Sequence, residues 1–352
     1  MNLTVNPSKR TMLACKFIQL HRSSFLLIIL IASNTVQAKW SGDFDLNTYY
    51  TDDVGLFSVT RRLSLDEDPT QPIVDEPNQG ADFVYEPYAS INWAAENKLG
   101  DFNLSAAAGG YIFQTRTAYT HGFLDLEIEQ GLTEKTKISL LYDFIPGLFI
   151  GENSVPQRQN SVSAEHDEHE AKEQLDSHVL ALHLDHQLTE QLILRGLVRY
   201  GVRLYDEPFS YRDTQFFTVG SHIEWFITPT VELMAGYHFE RGYTDVDQTV
   251  QYQDDIAYIN HFASVELRIR LLHDLFLNAI FDYEHNEYTS PYEDDIHYQG
   301  NENVYQGELE LEYELTQLTT LKAGWQHGNR KFSYELHSVR NNNAWIGVEL
   351  HF

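Results

Sequence analysis

Hydrophobic side chains recur at every second position through most of this chain. In the closing stretch "NAWIGVELHF", Ala344, Ile346, Val348, Leu350 and Phe352 share one face of an extended chain, and Trp345, Gly347, Glu349 and His351 share the other, because successive strand side chains point to opposite faces. An apolar strand left at an edge is a template for aggregation, so this one needs a partner along its free side. The same period of two marks fourteen strands, at 40–51, 82–96, 101–114, 120–131, 135–150, 177–188, 191–205, 215–227, 230–244, 257–271, 274–288, 303–315, 319–334 and 342–352. Most have the length, about 9–11 residues, that crosses a bilayer at a tilt.

The connections alternate in length. Those after the even-numbered strands are short and carry "NKLG", "GLTEK", "LTEQ", "TPT", "LLHD" and "LTQLT", whereas 51–81, 151–176, 245–257 and 288–302 are long and polar. Tight turns on one side and long loops on the other are the asymmetry of an outer-membrane barrel, and the phase puts the carboxyl end in the periplasm. A hairpin unit also repeats weakly, in "HQLTEQLILRGLVRYG", "WFITPTVELMAGYHFE", "LLHDLFLNAIFDYEH" and "YELTQLTTLKAGWQHG". The pattern therefore predicts an all-β fold: a transmembrane, antiparallel, up-and-down β-barrel of about 14 strands. A soluble sandwich or propeller repeats strands without this turn asymmetry.

Composition fits the membrane reading. Hydrophobic residues are 42% of the chain and aromatics 13%, yet no later window holds the roughly 18 consecutive apolar residues of a membrane helix. Lys16, His21 and Arg22, the run "FLLIILIA" and Ala38 before a cut predict a signal peptide over residues 1–38, leaving 39–352 as the barrel. The single cysteine, Cys15, falls inside that leader, so neither a disulfide nor a lipid-bearing cysteine is expected afterwards. Losing Lys9, Arg10, Lys16 and Arg22 leaves 20 basic against 52 acidic residues, a balance of −32 that makes nucleic acid a poor partner.

Alternation also assigns faces. Asp125, Glu127 and Glu129 on the fourth strand and Glu308, Glu310, Glu312 and Glu314 on the twelfth fall inside, as do Arg195, Arg199 and Arg203 on the seventh and Arg268 and Arg270 on the tenth. Charge rows on different walls of a wet lumen would select solutes, whereas Arg–Glu pairing between strands would only fill the interior. Arg268 and Arg270 lie two strands from the glutamates and suit pairing; the seventh strand's arginines have less obvious partners and suit a pore. His183, Asp185, His222, Glu224 and His238 also fall inward as a polar cluster. No Ser–His–acid set is brought together, so an enzyme is not expected. Trp93, Tyr142, Phe144, Trp225, Tyr237, Phe239, Tyr283 and Trp325 fall outward near strand ends as interfacial girdles, since a barrel offers no second layer for them to pack on.

The four long loops hold 22 acidic and four basic residues. Such loops suit solvation, or divalent cations that bridge them to lipopolysaccharide. In "AEHDEHE", His166 and His169 are a weak candidate for a transition metal without a fixed third ligand. No cofactor is otherwise expected.

"FDYEHNEY", "LELEYELTQLTTLKAGWQHG" and "NNNAWIGVELHF" resemble the β-barrel porins, including barrels that accompany exopolysaccharide synthesis operons. The resemblance implies passage or export of solutes, saccharide among them, across a Gram-negative outer membrane, and carries over no substrate-binding residue. The expectation is a monomeric outer-membrane channel, porin-like, with a charged lumen that segment 151–176 could plug. Its expected partners are outer-membrane lipid, lipopolysaccharide, its solute, and the barrel-assembly machinery, which would read the terminal strand with Ile346, Val348, Leu350 and Phe352. The competing expectation is a non-conducting surface barrel whose acidic loops serve adhesion or membrane stability.

Overall fold

The computed structural model describes residues 38–60, 64–65, 79–154, 170–244, 255–295, 297–333 and 335–352. The predicted leader, apart from Ala38, lies outside them. The strands are β1 (Ala38–Thr51), β2 (Asp82–Glu96), β3 (Asp101–Phe113), β4 (His121–Thr133), β5 (Thr136–Ser154), β6 (Glu170–Thr189) and β7 (Leu192–Tyr205). They continue as β8 (Thr214–Thr228), β9 (Val231–Thr244), β10 (Tyr258–Leu272), β11 (Leu275–Tyr288), β12 (Asn301–Thr316), β13 (Thr319–Phe332) and β14 (Val339–His351). Each pairs antiparallel with its chain neighbours, and β1 pairs with β14, so fourteen strands close into one barrel without an edge.

The repeated hairpin unit has a local cause. The hydroxyls of Thr133, Thr189, Thr228 and Thr316 each accept the N–H two residues on, from Lys135, Gln191, Thr230 and Leu318, at 3.1–3.2 Å. A threonine ending a descending strand thus folds the backbone over itself and fixes the tight turn.

The seam is held by backbone and charge together. Register runs from Asp43↔His351 to Thr51↔Asn343, with Gly42 N–H donating to Phe352 O at 2.8 Å and Phe352 N–H to Gly42 O at 2.9 Å. The Lys322 ammonium on β13 reaches Asp45 of β1 at 2.6 Å and Glu349 of β14 at 2.8 Å, tying three strands across the closure.

Outside, the alternation leaves an apolar belt: on β12 alone Leu309, Leu311, Tyr313 and Leu315 are 45–54% exposed. Acyl chains cover such a belt at no hydrophobic cost, and water would not. All eight expected girdle aromatics point outward, as the exposure of Trp225, Tyr237 and Trp325 illustrates.

Three expectations need correction. β5 and β6 run on to Ser154 and from Glu170, so much of 151–176 is wall rather than loop, because its polar backbone finds ladder partners beyond the membrane. Segment 51–81 contains a helix, α1 (Val54–Thr60). A second layer for aromatics also exists, since Tyr49, Tyr111, Phe113, Tyr119, Phe149 and Trp345 point inward and pack around Val54 and Phe57 of that helix.

Candidate functional site

The segment after β1 turns into the lumen. Asp53, 3% exposed, caps α1: its Oδ1 accepts the N–H of Gly55 at 3.0 Å and of Leu56 at 3.4 Å, satisfying donors a helix start leaves open. Phe57 meets Tyr49, Tyr111 and Phe113 edge-on at 5.4–5.9 Å. Leu56 packs with Leu148, Ile150, Leu175, Tyr205 and Phe209 on the β5–β7 side. Farther along, Leu65 is 1% exposed against Phe262, Val304 and Met234 of β10, β12 and β9, on the wall opposite β1. Leu56 and Leu65 thus touch different walls of the bore.

Leu65 is received by a recess. The missing Cβ of Gly236 would stand 2.5 Å from Leu65 Cδ2 and 2.7 Å from the His222 ring, so only glycine leaves room there. The Arg199 guanidinium donates to Leu65 O at 3.0 Å. Beside it the Nε2 atoms of His222 and His238 lie 2.6 Å apart with rings stacked, so one hydrogen is shared between them. The expected inward cluster is thus assembled; His222 and His238 form its centre, beneath the segment's tip.

Above this level the interior is filled. Arg203, 1% exposed, donates to Tyr258 Oη at 2.8 Å, lies 3.9 Å from Glu240 and stacks over Phe216 at 4.2 Å. Glu240 accepts from Thr218 and Tyr258, both at 2.5 Å. Arg330 pairs with Glu302, and Asn260 and Asn286 donate to Glu284.

Below it the lumen opens. The inward row of β12 shows the gradient: Glu302, Val304, Gln306 and Glu308 are 1%, 0%, 3% and 9% exposed, Glu310 and Glu312 are half-buried, and Glu314 is exposed. Two adjoining cavities of about 290 and 270 Å³ share Glu232 and Arg268 on this lower wall. Three cations here are paired, Lys137 with Glu129 at 2.6 Å, Arg195 with Asp185 at 2.7 Å and Arg268 with Glu312 at 2.6 Å, whereas Arg270 lies over the Phe276 ring at 5.2 Å. Carboxylates of Asp125, Glu127, Glu224, Glu232 and Glu310 face the same vestibule, so among the described residues negative charge prevails there.

All twelve residues expected to line the lumen face inward, but the arginine row differs from expectation. Arg195 and Arg203 have acidic neighbours after all, in Asp185 of β6 and Glu240 of β9. Arg199 holds the inserted segment. Arg268 pairs two strands away with Glu312, as the pairing reading required. His166 and His169 lie outside the described residues. Ile346, Leu350 and Phe352 are 69%, 40% and 73% exposed on the lipid side. The residues missed were Asp53, Leu56, Phe57 and Leu65. Their signal is the capped apolar knot "DVGLF" inside an acidic loop, with the lumen-facing glycines that receive it.

Residues 243–352, from the end of β9 through β14, match the family described as "Putative beta-barrel porin 2". Comparison with curated protein sequences gives no match. Among solved structures, the outer membrane channel DcaP of Acinetobacter baumannii aligns with a TM-score of 0.49 at 8% identity, covering 90% of this chain and 97% of that one. The anion-selective porin from Comamonas acidovorans aligns at 0.44 and 8%, covering 90% and 99%. A bacterial polysaccharide outer membrane secretin aligns at 0.45 and 10%, covering 88% and 97%. A closed wall of fourteen strands with an apolar outer belt and a charged interior has its place in lipid, and the chain is an outer-membrane β-barrel whose last third is similar to that porin family.

Proposed function

We propose that this barrel is a gated channel, entered from the periplasm through an acidic vestibule and closed on the outer side by residues 53–60 and 64–65. The observation that carries this reading is the burial gradient along the lumen, packed above Glu308 and open below it. A vestibule rich in carboxylates raises the local concentration of cations and repels anions. Its solutes are then small cations and uncharged hydrophilic molecules; the porin resemblance adds saccharide to the latter. The lumen residues position and screen solute and perform no bond-making chemistry.

The test is conductance of the refolded barrel in planar bilayers under a salt gradient, with liposome swelling in neutral sugars of graded size. Discrete, cation-selective steps that lengthen when the segment holding residues 53–60 and 64–65 is loosened support the channel. Silence from folded protein after the segment is loosened refutes it.

A second reading keeps the lumen shut for good, and the extent of packing on Leu56, Phe57 and Leu65 favours it. The barrel would then serve the surface, its acidic loops binding divalent cations. Persistent silence would select it.

A further inference from the structure

We propose that the outward face at the external ends of β9–β13 binds the phosphate groups of a phosphorylated glycolipid in the outer leaflet. Arg241 lies three residues from the end of β9, His261 is the fourth residue of β10, Asn303 the third of β12 and Lys331 the penultimate of β13. All alternate outward. Register places them side by side, in the row Phe239, His261, His285, Asn303, Lys331, with Arg241 one diagonal step above Phe239.

Their hydrogen bonds leave donor hydrogens without a partner among the described residues. Tyr237 Oη lies 2.6 Å from His261 Nδ1; with the phenol donating, His261 Nε2 keeps its hydrogen. Asn303 Oδ1 accepts from Tyr283 Oη and His285 Nδ1, both at 2.9 Å, which leaves the Asn303 amide N–H groups. Arg241 stacks over Tyr243 at 5.3 Å, and its Nε–H is buried with no protein acceptor. Glu287 is the acid on this face, its Oε1 3.3 Å from His285 Nε2.

The opposite wall is different. At the external ends of β1–β4 the outward residues are Tyr50, Phe83, Tyr85, Ile112 and Leu124, all apolar or phenolic and 38–47% exposed. In a chain of net charge −28, Arg241 and Lys331 put two of the few cations on this side of the outer rim, and none stands among those residues of the β1–β4 wall. Anionic oxygens complement them. The aromatics immediately below, Tyr237, Tyr305 and Trp325, are 45–47% exposed to acyl chains. The ligand must therefore be amphiphilic, with the phosphate on a lipid rather than free.

The test titrates the mature barrel in detergent with bisphosphorylated lipid A and with the same lipid dephosphorylated, read by native mass spectrometry and by the shift in thermal unfolding. The wild type should prefer the phosphorylated lipid by about tenfold or more. That preference should fall to about twofold in R241Q/H261Q/K331Q, and stay in Lys135→Gln on a periplasmic turn. Because the triple variant can fail to fold, Lys331→Gln alone provides a second reading at an exposed position and should lower the preference by about threefold. Equal binding of the two lipids, an unchanged preference in both variants, or displacement of the lipid by equimolar inorganic phosphate would overturn the proposal.

Discussion

Leu65→Ala is the sharpest probe of the closed state. Leu65 is 1% exposed and touches Phe262 and Val304, themselves at 0%. Truncating a leucine so enclosed costs about 2–5 kcal/mol, and the strand walls of a barrel relax little into the void. Taking about 3 kcal/mol, the equilibrium between docked and released segment shifts by roughly two orders of magnitude. The wall ladder is untouched, so the loss falls on the local opening rather than on the barrel. Single-channel recording should show the open fraction rising steeply while the protein keeps its heat-modifiable folded migration. Leu65→Met, a nearly volume-conserving change, should cost under about 1.5 kcal/mol and remain mostly closed. An open fraction within a factor of about three of the wild type in Leu65→Ala would show that the Leu65 recess does not hold the segment.

Gly236→Val places a methyl-bearing carbon where Leu65 and His222 already stand, 2.5 and 2.7 Å from the ideal Cβ, and should open the channel as Leu65→Ala does in the same recording. Glu232→Gln with Glu310→Gln removes two vestibule charges and should lower the cation-to-anion permeability ratio by roughly twofold, read from the reversal potential. Lys322→Met strands Asp45 and Glu349 at the seam; with the three side chains only 14–24% exposed, a loss of about 2–3 kcal/mol is expected in barrel unfolding, and adding Asp45→Asn and Glu349→Gln should recover most of it. In the loop between β11 and β12, burial pushes the Asp295 carboxyl up, but hydrogen bonds from His297, Ser290 and the Asp255 and His297 backbone outweigh it and hold the group below the usual range. Its contribution is therefore complete above the ordinary aspartate value of about 3.9 and disappears as pH falls through the lower folded value. Limited proteolysis should find the loop protected down to about pH 4 and released below it, and Asp295→Asn should remove that dependence; release above pH 5 would contradict the sign.

The wall was legible because a barrel strand repeats one rule: the lipid side is apolar, and the strands end in short polar turns, four of them capped by a threonine. Leu309, Leu311 and Leu315 announce their face without reference to anything distant. Strand ends were less legible, since Ser154 and Glu170 pair beyond the membrane, where no apolar requirement marks them. The inserted segment was hidden for another reason. Leu65 is ordinary in a loop until Gly236, far away in sequence, is known to lie opposite it. Arg199 likewise reads as a pore charge until its partner proves to be a main-chain carbonyl from residue 65.

The contrast between a filled outer half and an open inner half has an electrical consequence. A vestibule of mobile ions sits at nearly the potential of the periplasm, so an applied voltage falls mainly across the packed half, over a shorter distance. Charges there, Asp53 on the segment and Arg199 beneath it, experience most of the drop, at about 2.3 kcal/mol per elementary charge per 100 mV for a full traverse. The barrel is in effect a capacitor with one thin plate gap. Its two polarities are not equivalent, because the gap lies at one end of the barrel and not at its middle.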